Sequence, residues 1–363
     1  MTVNEIINTI EKWAPPKYQE KYDNSGLQCG DPNQKVKGVI ICLDCTEDVV
    51  NEAIEKNCQL IIAHHPIIFG GIQNITPHSY VGRTLLNAIK NEISIYACHT
   101  NLDNVSTGVN AEIGKRIGLK NCKTLLGKKR LLSKLIVYTP HDYTEKVLNA
   151  LFEAGAGEIS NYKECSFSQD GIGSFKPQEG SNAFVGEIGE RHLEKEKKLE
   201  VLVQNPDLNK AIHNMLKAHP YEEVAYDLIP LSNTHPKVGS GMIGEIEAIN
   251  TLDFFDQIKT IFNCSLIRHS SLCKKQIKRV AVCGGSGSFL LQQAIQNKAD
   301  IFITSDFKYH EFFNAENNII IADIGHYESE QFTKELIYSY LSQNFPTFAL
   351  HLSEINTNPI KYY

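Results

Sequence analysis

Short apolar runs alternate with amphipathic helical stretches in the first third of the chain. The runs 38–43, 60–63 and 93–98 are rich in β-branched residues, which is typical of buried strands. The stretch after the first run places its apolar residues on one face of a helix, at Val49, Val50, Ala53 and Ile54. Strands that alternate with helices predict a mainly parallel sheet in an α/β fold.

The last third of the chain repeats this alternation. Residues 279–283, 301–304 and 318–322 are predicted to be strands, and a helix is predicted between the first two. Cys42 matches Cys283 and His65 matches Asp306 at one constant offset of 241 positions, without a gap. We therefore expect two related Rossmann-like αβα halves with polar residues at the carboxyl ends of their strands, where parallel sheets bind ligands.

The middle of the chain has a different pattern. Strands are predicted at 131–138, 199–203 and 225–231, with a Gly- and Ser-rich hairpin region at 165–186 and two helices. The resulting order, β-α-β-β-α-β, is the ferredoxin-like split motif. We expect one discontinuous α/β domain, residues 1–127 and 236–363, interrupted by an inserted α+β domain at residues 128–235. The charged run 192–198 is predicted to be a solvated hairpin or loop.

Composition and charge exclude several classes of protein. Hydrophobic residues make up 42% of the chain and charged residues 21%, which is typical of a globular protein and not of a disordered one. A net charge of -6 without a basic block argues against broad nucleic-acid binding. We expect no membrane span and no signal peptide, because no long apolar run and no basic leader are present. Ten scattered cysteines predict reduced thiols and a cytoplasmic location.

Histidines and carboxylates gather at the predicted strand ends. His64 and His65 end one strand and Asp103 follows the next. His326 and Glu330 are four residues apart and would share one face of a helix. Three imidazoles and two carboxylates suit Zn first, with Fe, Mn or Co as alternatives. Adjacent strand residues point to opposite faces, so we expect His64 and His65 to hold different ions of a close pair, two divalent ions per chain.

Four further polar residues fall near the same rim: Asp44, His99, Asp306 and His310. They are expected to orient metal ligands, contact a substrate or transfer protons, and Asp306 and His310 are the predicted catalytic pair. Ordinary capping and loop hydrogen bonds would also explain these four residues.

Two other motifs suggest different chemistry. Cys42-Leu-Asp-Cys45 has the C-x-x-C spacing of redox and zinc sites, but Cys42 falls inside an apolar strand, which favours a structural role. Cys45 would have a lowered pKa if it lies near a helix N-terminus. Gly284-Gly-Ser-Gly-Ser288 follows a strand as phosphate loops do, but it lacks the Lys of a P-loop and the third glycine of a dinucleotide site.

Several motifs carry a resemblance to a known family. Asp23-Asn-Ser-Gly-Leu27, His64-His-Pro66, His99-Thr-Asn-Leu-Asp103, Thr304-Ser-Asp-Phe-Lys-Tyr-His310 and Asp323-Ile-Gly-His-Tyr-Glu-Ser-Glu330 resemble the Nif-three-like family over the whole chain. Its bacterial members carry the name GTP cyclohydrolase 1 type 2 homolog. The resemblance implies a dinuclear site held by the five residues named above. It also implies a toroidal homohexamer and an insert of the PII/CutA type. Ser305 departs from the Gly that members often have there.

These observations lead to one main hypothesis and one alternative. The main hypothesis is a metal-dependent hydrolase of the GTP cyclohydrolase type that acts on a nucleotide or a related heterocycle as its small-molecule substrate. The alternative is a non-catalytic metal-handling or regulatory oligomer in which the inserted domain senses a ligand. The alternative is motivated by the insert, which adds no catalytic motif of its own.

Overall fold

The computed structural model describes all 363 residues, which divide into two compact units. The first unit consists of Met1–Gly127 together with Lys237–Tyr363, and the second consists of Lys128–Pro236. Three sheets and the surrounding helices give the chain a mixed α/β fold. No helix is both long enough and apolar enough to cross a membrane.

The first part of the first unit follows the predicted alternation of strands and helices. Its elements are α1 (Val3–Trp13), β1 (Gly26–Cys29), β2 (Gly38–Cys42), α2 (Glu47–Glu55), β3 (Leu60–Ala63), α3 (Tyr80–Lys90), β4 (Ser94–Ala97), α4 (Thr100–Asp103), α5 (Val109–Ile117) and β5 (Lys120–Lys129). Strands β2, β3 and β4 are parallel neighbours, and β1 pairs antiparallel with β4 at one edge. Thr46 caps α2, because its side chain accepts a hydrogen bond from the backbone of Val49.

The second unit is a four-stranded antiparallel sheet with two helices. Its elements are β6 (Leu132–Pro140), α6 (Thr144–Glu153), β7 (Ser166–Phe175), β8 (His192–Gln204), α7 (Leu208–Ala218) and β9 (Tyr226–Leu231). The strands lie in the order β7-β8-β6-β9. Alternate residues of the central strands, such as Leu135, Val137 and Val201, are buried in a core that also contains Leu151 of α6 and Met215 of α7. This period of two is what a sheet covered on one face requires.

Of the two alternatives predicted for residues 192–198, a solvated hairpin or a loop, the structure shows the hairpin. These residues are the first part of β8 and pair with β7 in the register Lys198 to Gln169 and His192 to Phe175. Strand β7 is exposed along almost its whole length, so its paired ribbon with β8 stands in solvent. A charged strand is compatible with such a ribbon because, apart from Glu196, its side chains at 192–198 remain at least partly hydrated.

The remaining part of the first unit contains the second parallel group of strands. Its elements are β10 (Thr234–Asn250), α8 (Thr251–Phe262), β11 (Arg268–His269), β12 (Gln276–Ser286), α9 (Leu291–Gln296), β13 (Ile301–Ser305), β14 (Ile320–Asp323), α10 (His326–Glu330), α11 (Thr333–Asn344) and β15 (Ala349–Leu352). Strands β12, β13 and β14 are parallel, and β11 pairs antiparallel with β14. The six-stranded sheet has the order β11-β14-β13-β12-β10-β5.

The last strand of the chain joins the first sheet. Strand β15 pairs in parallel with β2, so the five-stranded sheet has the order β1-β4-β3-β2-β15. Every residue of β2, β3 and β4 is buried. No charged residue or histidine lies within these strands, and histidines of the candidate site occur just beyond the carboxyl ends of β3 and β4.

Candidate metal centre

Strand and helix ends position the five predicted metal-binding residues. His64 and His65 follow directly after β3, and the backbone amide of His65 donates to the carbonyl of Leu43 at 2.9 Å. This bond ties the end of β3 to the end of β2. Asp103 is the last residue of α4, and His326 and Glu330 are the first and last residues of α10. The predicted helical spacing of His326 and Glu330 is therefore confirmed.

The side chains of these residues converge on Glu330. Its Oε2 atom lies 2.9 Å from Nε2 of His65 and 3.1 Å from Nε2 of His326, and its Oε1 atom lies 3.8 Å from Nε2 of His64. Nε2 of His64 lies 3.6 Å from Oδ1 of Asp103. Glu330 is 3% exposed, so its carboxylate is enclosed by these partners. The structure thus brings together all five residues that the sequence singles out.

The opposite nitrogen of each imidazole donates to a protein oxygen. Nδ1 of His64 donates to the carbonyl of Cys98 at 2.8 Å, Nδ1 of His65 to Asp44 at 2.7 Å, and Nδ1 of His326 to Asp306 at 2.7 Å. These bonds fix the orientation of each ring and leave Nε2 free to act as a ligand in the neutral tautomer. A second hydrogen bond of this kind is the usual support of a metal-binding histidine.

Two atoms of the cluster indicate that the protein alone does not complete the site. Nε2 of His64 and Oδ1 of Asp103 are buried and have no hydrogen-bond partner. An unpaired buried polar atom is costly, and native structures rarely leave one without a partner. Nitrogen and carboxylate oxygen together are suitable ligands for a divalent transition metal. The residues present therefore fit a metal ion.

The electrostatics of the cluster follow from burial and from the shared carboxylates. Burial, together with the charge of Glu330, raises the pKa of Asp103 well above its usual value. Burial alone would also raise the pKa of Glu330, but His326 and the other two imidazoles hold that pKa well below its usual range. Burial lowers the pKa of His64. Burial would also lower the pKa of His65, but its hydrogen bonds with Asp44 and Glu330 raise that pKa to about 9.

His99 belongs to the same cluster. Its ring centroid lies 5.4 Å from that of His64 and 5.5 Å from that of His65, and the three residues form one of the groups that could hold a metal ion. Nδ1 of His99 donates to Asp23 at 2.7 Å. Burial would raise the pKa of Asp23, but hydrogen bonds from His99, Thr100 and Ser25 lower it below its usual range. The role of Asp23 was missed from the sequence, where the signals were its polar Asp-Asn-Ser-Gly loop and the place of that loop among the family-like motifs.

The two predicted catalytic residues lie in different surroundings. Asp306 accepts the hydrogen bond from Nδ1 of His326 and is 46% exposed at its side chain. It adopts a left-handed backbone conformation with φ of 60°, directly after β13. The ring of His310 contacts Tyr309 and Phe313, and His310 does not line the cavity described below. The structure therefore joins Asp306, but not His310, to the metal-binding residues.

The C-x-x-C motif at Cys42–Cys45 and the glycine-rich loop at 284–288 both make contacts typical of a structural role. Cys42 and Cys45 are buried, and burial raises the pKa of both thiols, so the expected lowering of the Cys45 pKa is wrong. In the glycine-rich loop, the amide of Gly284 donates to Asn110 and that of Gly285 donates to Ser329. These two amides are therefore already satisfied by protein groups.

A cavity of about 770 Å³ opens onto the cluster. His65, His99, Asp103, His326 and Glu330 form part of its wall. The rest of the wall is rich in rings, including those of Tyr22, Phe69, Tyr80 and Phe289. The volume is within the range of roughly 300–1,000 Å³ that small-molecule sites occupy. The cluster is thus accessible to a ligand of nucleotide size.

Comparison with known proteins gives one consistent result. The model of the family Duf34/NIF3 (NGG1p interacting factor 3) matches residues 1–359. The chain is 38% identical to the GTP cyclohydrolase 1 type 2 homolog of Halalkalibacterium halodurans, over 98% of each chain. A Bacillus cereus protein related to NIF3 has a TM-score of 0.86 and 34% identity, covering 100% of this chain and 99% of its own. A Staphylococcus aureus protein has a TM-score of 0.79 and 30% identity with the same coverage. The chain therefore belongs to the Duf34/NIF3 family.

Proposed function

We propose that this protein binds two divalent metal ions and is a metal-dependent hydrolase acting on a nucleotide or a related heterocycle. One observation carries the proposal: three imidazole Nε2 atoms converge on two carboxylates, and two of the buried atoms, on His64 and Asp103, have no protein partner. The names of the relatives support the cyclohydrolase type of reaction, but they do so by analogy only.

The donor atoms form two sets that share one residue. His64, Asp103 and Glu330 would hold one ion, and His65, His326 and Glu330 the other, because the donor atoms of each set lie within 4.8 Å of one another. Glu330 presents Oε1 toward the first set and Oε2 toward the second. Mixed nitrogen and oxygen ligands favour Zn, with Fe or Mn as alternatives.

The chain's own groups would orient the ligands and move protons. When bound, the two ions would supply Lewis acidity toward a carbonyl, amidine or phosphoryl group of the substrate. Asp44 and the carbonyl of Cys98 hold the rings of His65 and His64 in place. Asp306 would exchange a proton with solvent, because its carboxylate is half exposed and accepts from His326. His310 is its predicted catalytic partner, but it contacts Tyr309 and Phe313 instead, so we assign the proton exchange to Asp306.

The aromatic lining of the cavity at the metal centre favours a flat substrate. The rings of Tyr22, Phe69 and His99 make edge-to-face contacts, with centroids 6.2 Å apart for Tyr22 and Phe69 and 6.1 Å apart for Phe69 and His99. Aromatic rings of this kind pack well against a planar heterocycle and keep water away from it. A purine or a similar ring is therefore the substrate class that we propose.

The test is metal content and turnover on the same preparation. Elemental analysis of the purified protein should give two ions per chain, and Glu330→Gln should reduce that number. The protein loaded with Zn, Fe or Mn should then convert GTP into a ring-opened or pterin product. Two bound ions without turnover of GTP or other purine nucleotides by any of the three metals would remove the hydrolase proposal and leave the metal site in place.

Two details of the fold are part of this proposal. The parallel strands β2-β3-β4 and β12-β13-β14 each have a short antiparallel strand beside the last of them, which supports two related Rossmann-like halves that form one dimetal-binding domain. The chain order β-α-β-β-α-β with sheet order β7-β8-β6-β9 supports a ferredoxin-like inserted domain of the PII/CutA type.

The assembly and location are also proposals. The resemblance of the motifs to the Nif-three-like family supports a toroidal homohexamer in the cytoplasm. Light scattering coupled to size-exclusion chromatography would give the number of chains per particle. A monomer or dimer at working concentration would contradict the hexamer.

A non-catalytic metal-handling or regulatory oligomer is the second candidate function. It is favoured by the second unit, Lys128–Pro236, which has its own hydrophobic core and its own cavity, without any of the proposed metal ligands. Retained metal binding together with a complete lack of turnover would favour this candidate over the hydrolase.

A further inference from the structure

The second unit contains a cavity of about 720 Å³. Its walls come from β7, β8, the segment that follows β7 and the turn at residues 219–223. The volume is within the roughly 300–1,000 Å³ of small-molecule sites. None of the five proposed metal ligands lines it, so it is a different site from the metal centre.

Three aromatic rings form one side of this cavity. The ring of Tyr221 lies 5.9 Å from that of Phe175 and 6.1 Å from that of Phe184. Tyr221 is held in place because its backbone amide donates to Nδ1 of His219, whose Nε2 donates to the carbonyl of Tyr138 at 3.0 Å. Three neighbouring rings with fixed positions are a suitable surface for a cation or an apolar group.

The segment that carries Phe184 is also held in place. The amide of Asn182 donates to Glu222 at 2.8 Å, and the amide of Gly189 donates to the carbonyl of Pro177 at 2.9 Å. These bonds tie both ends of the short segment around Phe184 to the rest of the second unit. The ring cluster is therefore present before any ligand binds, which lowers the entropy cost of binding.

A buried carboxylate faces the same cavity. Glu196 is 8% exposed, and its Oε1 accepts a hydrogen bond from the hydroxyl of Tyr221 at 2.9 Å. Its Oε2 makes no hydrogen bond or ion pair within the protein and lies against Gly173, where a methyl group would come within 2.1 Å of it. Because Glu196 lines the cavity and its Oε2 has no donor within the protein, this oxygen is available to accept a hydrogen bond from a ligand.

The charges around the cavity favour a positive ligand. Four acids line it, Asp170, Glu196, Glu222 and Glu223, against the two lysines Lys176 and Lys198. Lys198 is paired with Glu200 at 2.7 Å, and Asp170 is paired with Lys197 at 3.7 Å, which leaves three acids against Lys176. The excess of carboxylates opposes anions such as nucleotides and attracts cations.

We propose that this cavity binds a small organic cation, an ammonium or guanidinium compound with an apolar or aromatic portion. Its N–H group donates to Oε2 of Glu196, and its charge lies against the rings of Phe175, Phe184 and Tyr221. The cation thus completes the hydrogen bonding of Glu196 and gains cation–π attraction from the rings. This site is separate from the metal centre, so it stands or falls independently of the proposed hydrolase.

Three probes of similar shape test the proposal on the full-length protein by saturation-transfer NMR. They are benzylammonium, benzyltrimethylammonium and neutral benzyl alcohol. We expect benzylammonium to bind at least about tenfold more tightly than benzyl alcohol. Benzyltrimethylammonium has no lone pair and cannot ligate a metal, so its binding cannot be due to metal ligation, and the variants below locate it. Equal binding of the cations and the alcohol, or no binding of the cations, would overturn the proposal.

Three variants locate the binding. Glu196→Gln should reduce the affinity for benzylammonium to that for benzyl alcohol, whereas Glu145→Gln, an exposed acid of α6, should leave it unchanged. Gly173→Ala keeps every charge but displaces Oε2 of Glu196, so it should weaken benzylammonium binding as well.

Phe184→Ala separates loss of binding from loss of folding. Its ring is 47% exposed, so the variant should keep the parent's melting temperature and still lose affinity for both cations. Full cation binding in folded Glu196→Gln and Phe184→Ala protein would place the probes elsewhere and overturn the proposal.

Discussion

Nε2 of His64 and Oδ1 of Asp103 face each other at 3.6 Å, and neither atom has a hydrogen-bond partner. Nδ1 of His64 donates to the carbonyl of Cys98, so Nε2 of the neutral ring is an acceptor, as is the carboxylate oxygen. Two buried acceptors that face each other are unfavourable unless a positive group lies between them. The metal-free protein therefore either protonates Asp103, whose pKa is raised, or bears the repulsion at this pair, and a bound cation would remove that cost.

The first prediction concerns Asp103→Asn, which removes the negative charge and keeps the shape of the side chain. Burial and Glu330 raise the pKa of Asp103, so at neutral pH its ionised form destabilises the metal-free protein. We expect metal-free Asp103→Asn to melt at the same temperature as the parent or higher. The ion held by His64, Asp103 and Glu330 should add about 2.7 kcal/mol of stability when Zn is at a hundred times the Kd of that site, and the variant should lose this part of the Zn response.

Thermal melts with and without added Zn measure both effects. Glu112→Gln, on the neighbouring helix α5 and paired there with Arg116, is a control whose response to Zn should match that of the parent. A Zn response of Asp103→Asn as large as that of the parent would exclude Asp103 as a ligand.

The second prediction concerns the carboxylate that orients His65. Asp44 accepts from Nδ1 of His65 at 2.7 Å and from the hydroxyl of Thr357 at 2.6 Å. Asp44→Ala frees the ring of His65 to rotate, so we expect about 10–100-fold weaker binding of one ion. Thr357→Val leaves the bond between Asp44 and His65 intact and should have a smaller effect. Isothermal titration with Zn gives both values, and equal losses in the two variants would contradict the orienting role.

The clustering of the five candidate ligands could be predicted from the sequence because the strands that precede the histidine pair and Asp103 are fully buried. Strands β2, β3 and β4 have no exposed residue, so their apolar runs end sharply and the first polar residues mark the strand ends. The i and i+4 spacing of His326 and Glu330 needed only a helix to place both on one face.

Other contacts could not be predicted because they join distant parts of the chain without a local pattern. Asp23 lies in a loop 76 residues before His99, and nothing in that spacing indicates their hydrogen bond. Strand β15 joins β2 from the opposite end of the chain. The charged start of β8 lacks alternating apolar residues because the ribbon that it forms with β7 covers no core.

The third prediction concerns the pH dependence of stability at Glu52, away from the site. Glu52 of α2 accepts from Lys56, from the hydroxyl of Ser353 and from the amide of Glu354, which ties α2 to the segment after β15. Burial would raise the pKa of Glu52, but these bonds lower it below 4.5. Its folded-state pKa is thus below its unfolded-state pKa, so the stabilisation is present above pH 4.5 and is lost as the pH falls through the folded-state pKa.

Glu52→Gln should therefore reduce the free energy of unfolding by about 1–3 kcal/mol at pH 7, and this difference should shrink below about pH 4. Urea unfolding at the two pH values measures it. Glu55→Gln changes an exposed acid of the same helix and should be close to the parent at both. A loss of stability in Glu52→Gln that is the same at both pH values would show that packing, and not the charge, is responsible.

The fourth prediction concerns Gly285, which lies beside the proposed metal ligands. Its φ is 61°, and a methyl group there would come within 2.5 Å of Oε1 of Glu330. Gly285→Ala should therefore lose about 1–2 kcal/mol of stability through its left-handed backbone and, in addition, displace Glu330 and weaken binding of both ions.

Gly118→Ala separates the two effects of this substitution. Gly118 has a φ of 81°, and a methyl group there would meet nothing within 4 Å. The control should show the loss of stability alone and bind two ions per chain, as counted by elemental analysis after dialysis. Since the backbone cost is common to both variants, a difference in metal content between them reports on the position of Glu330. Equal metal content would mean that neither ion depends on Oε1 of Glu330 staying where the structure places it.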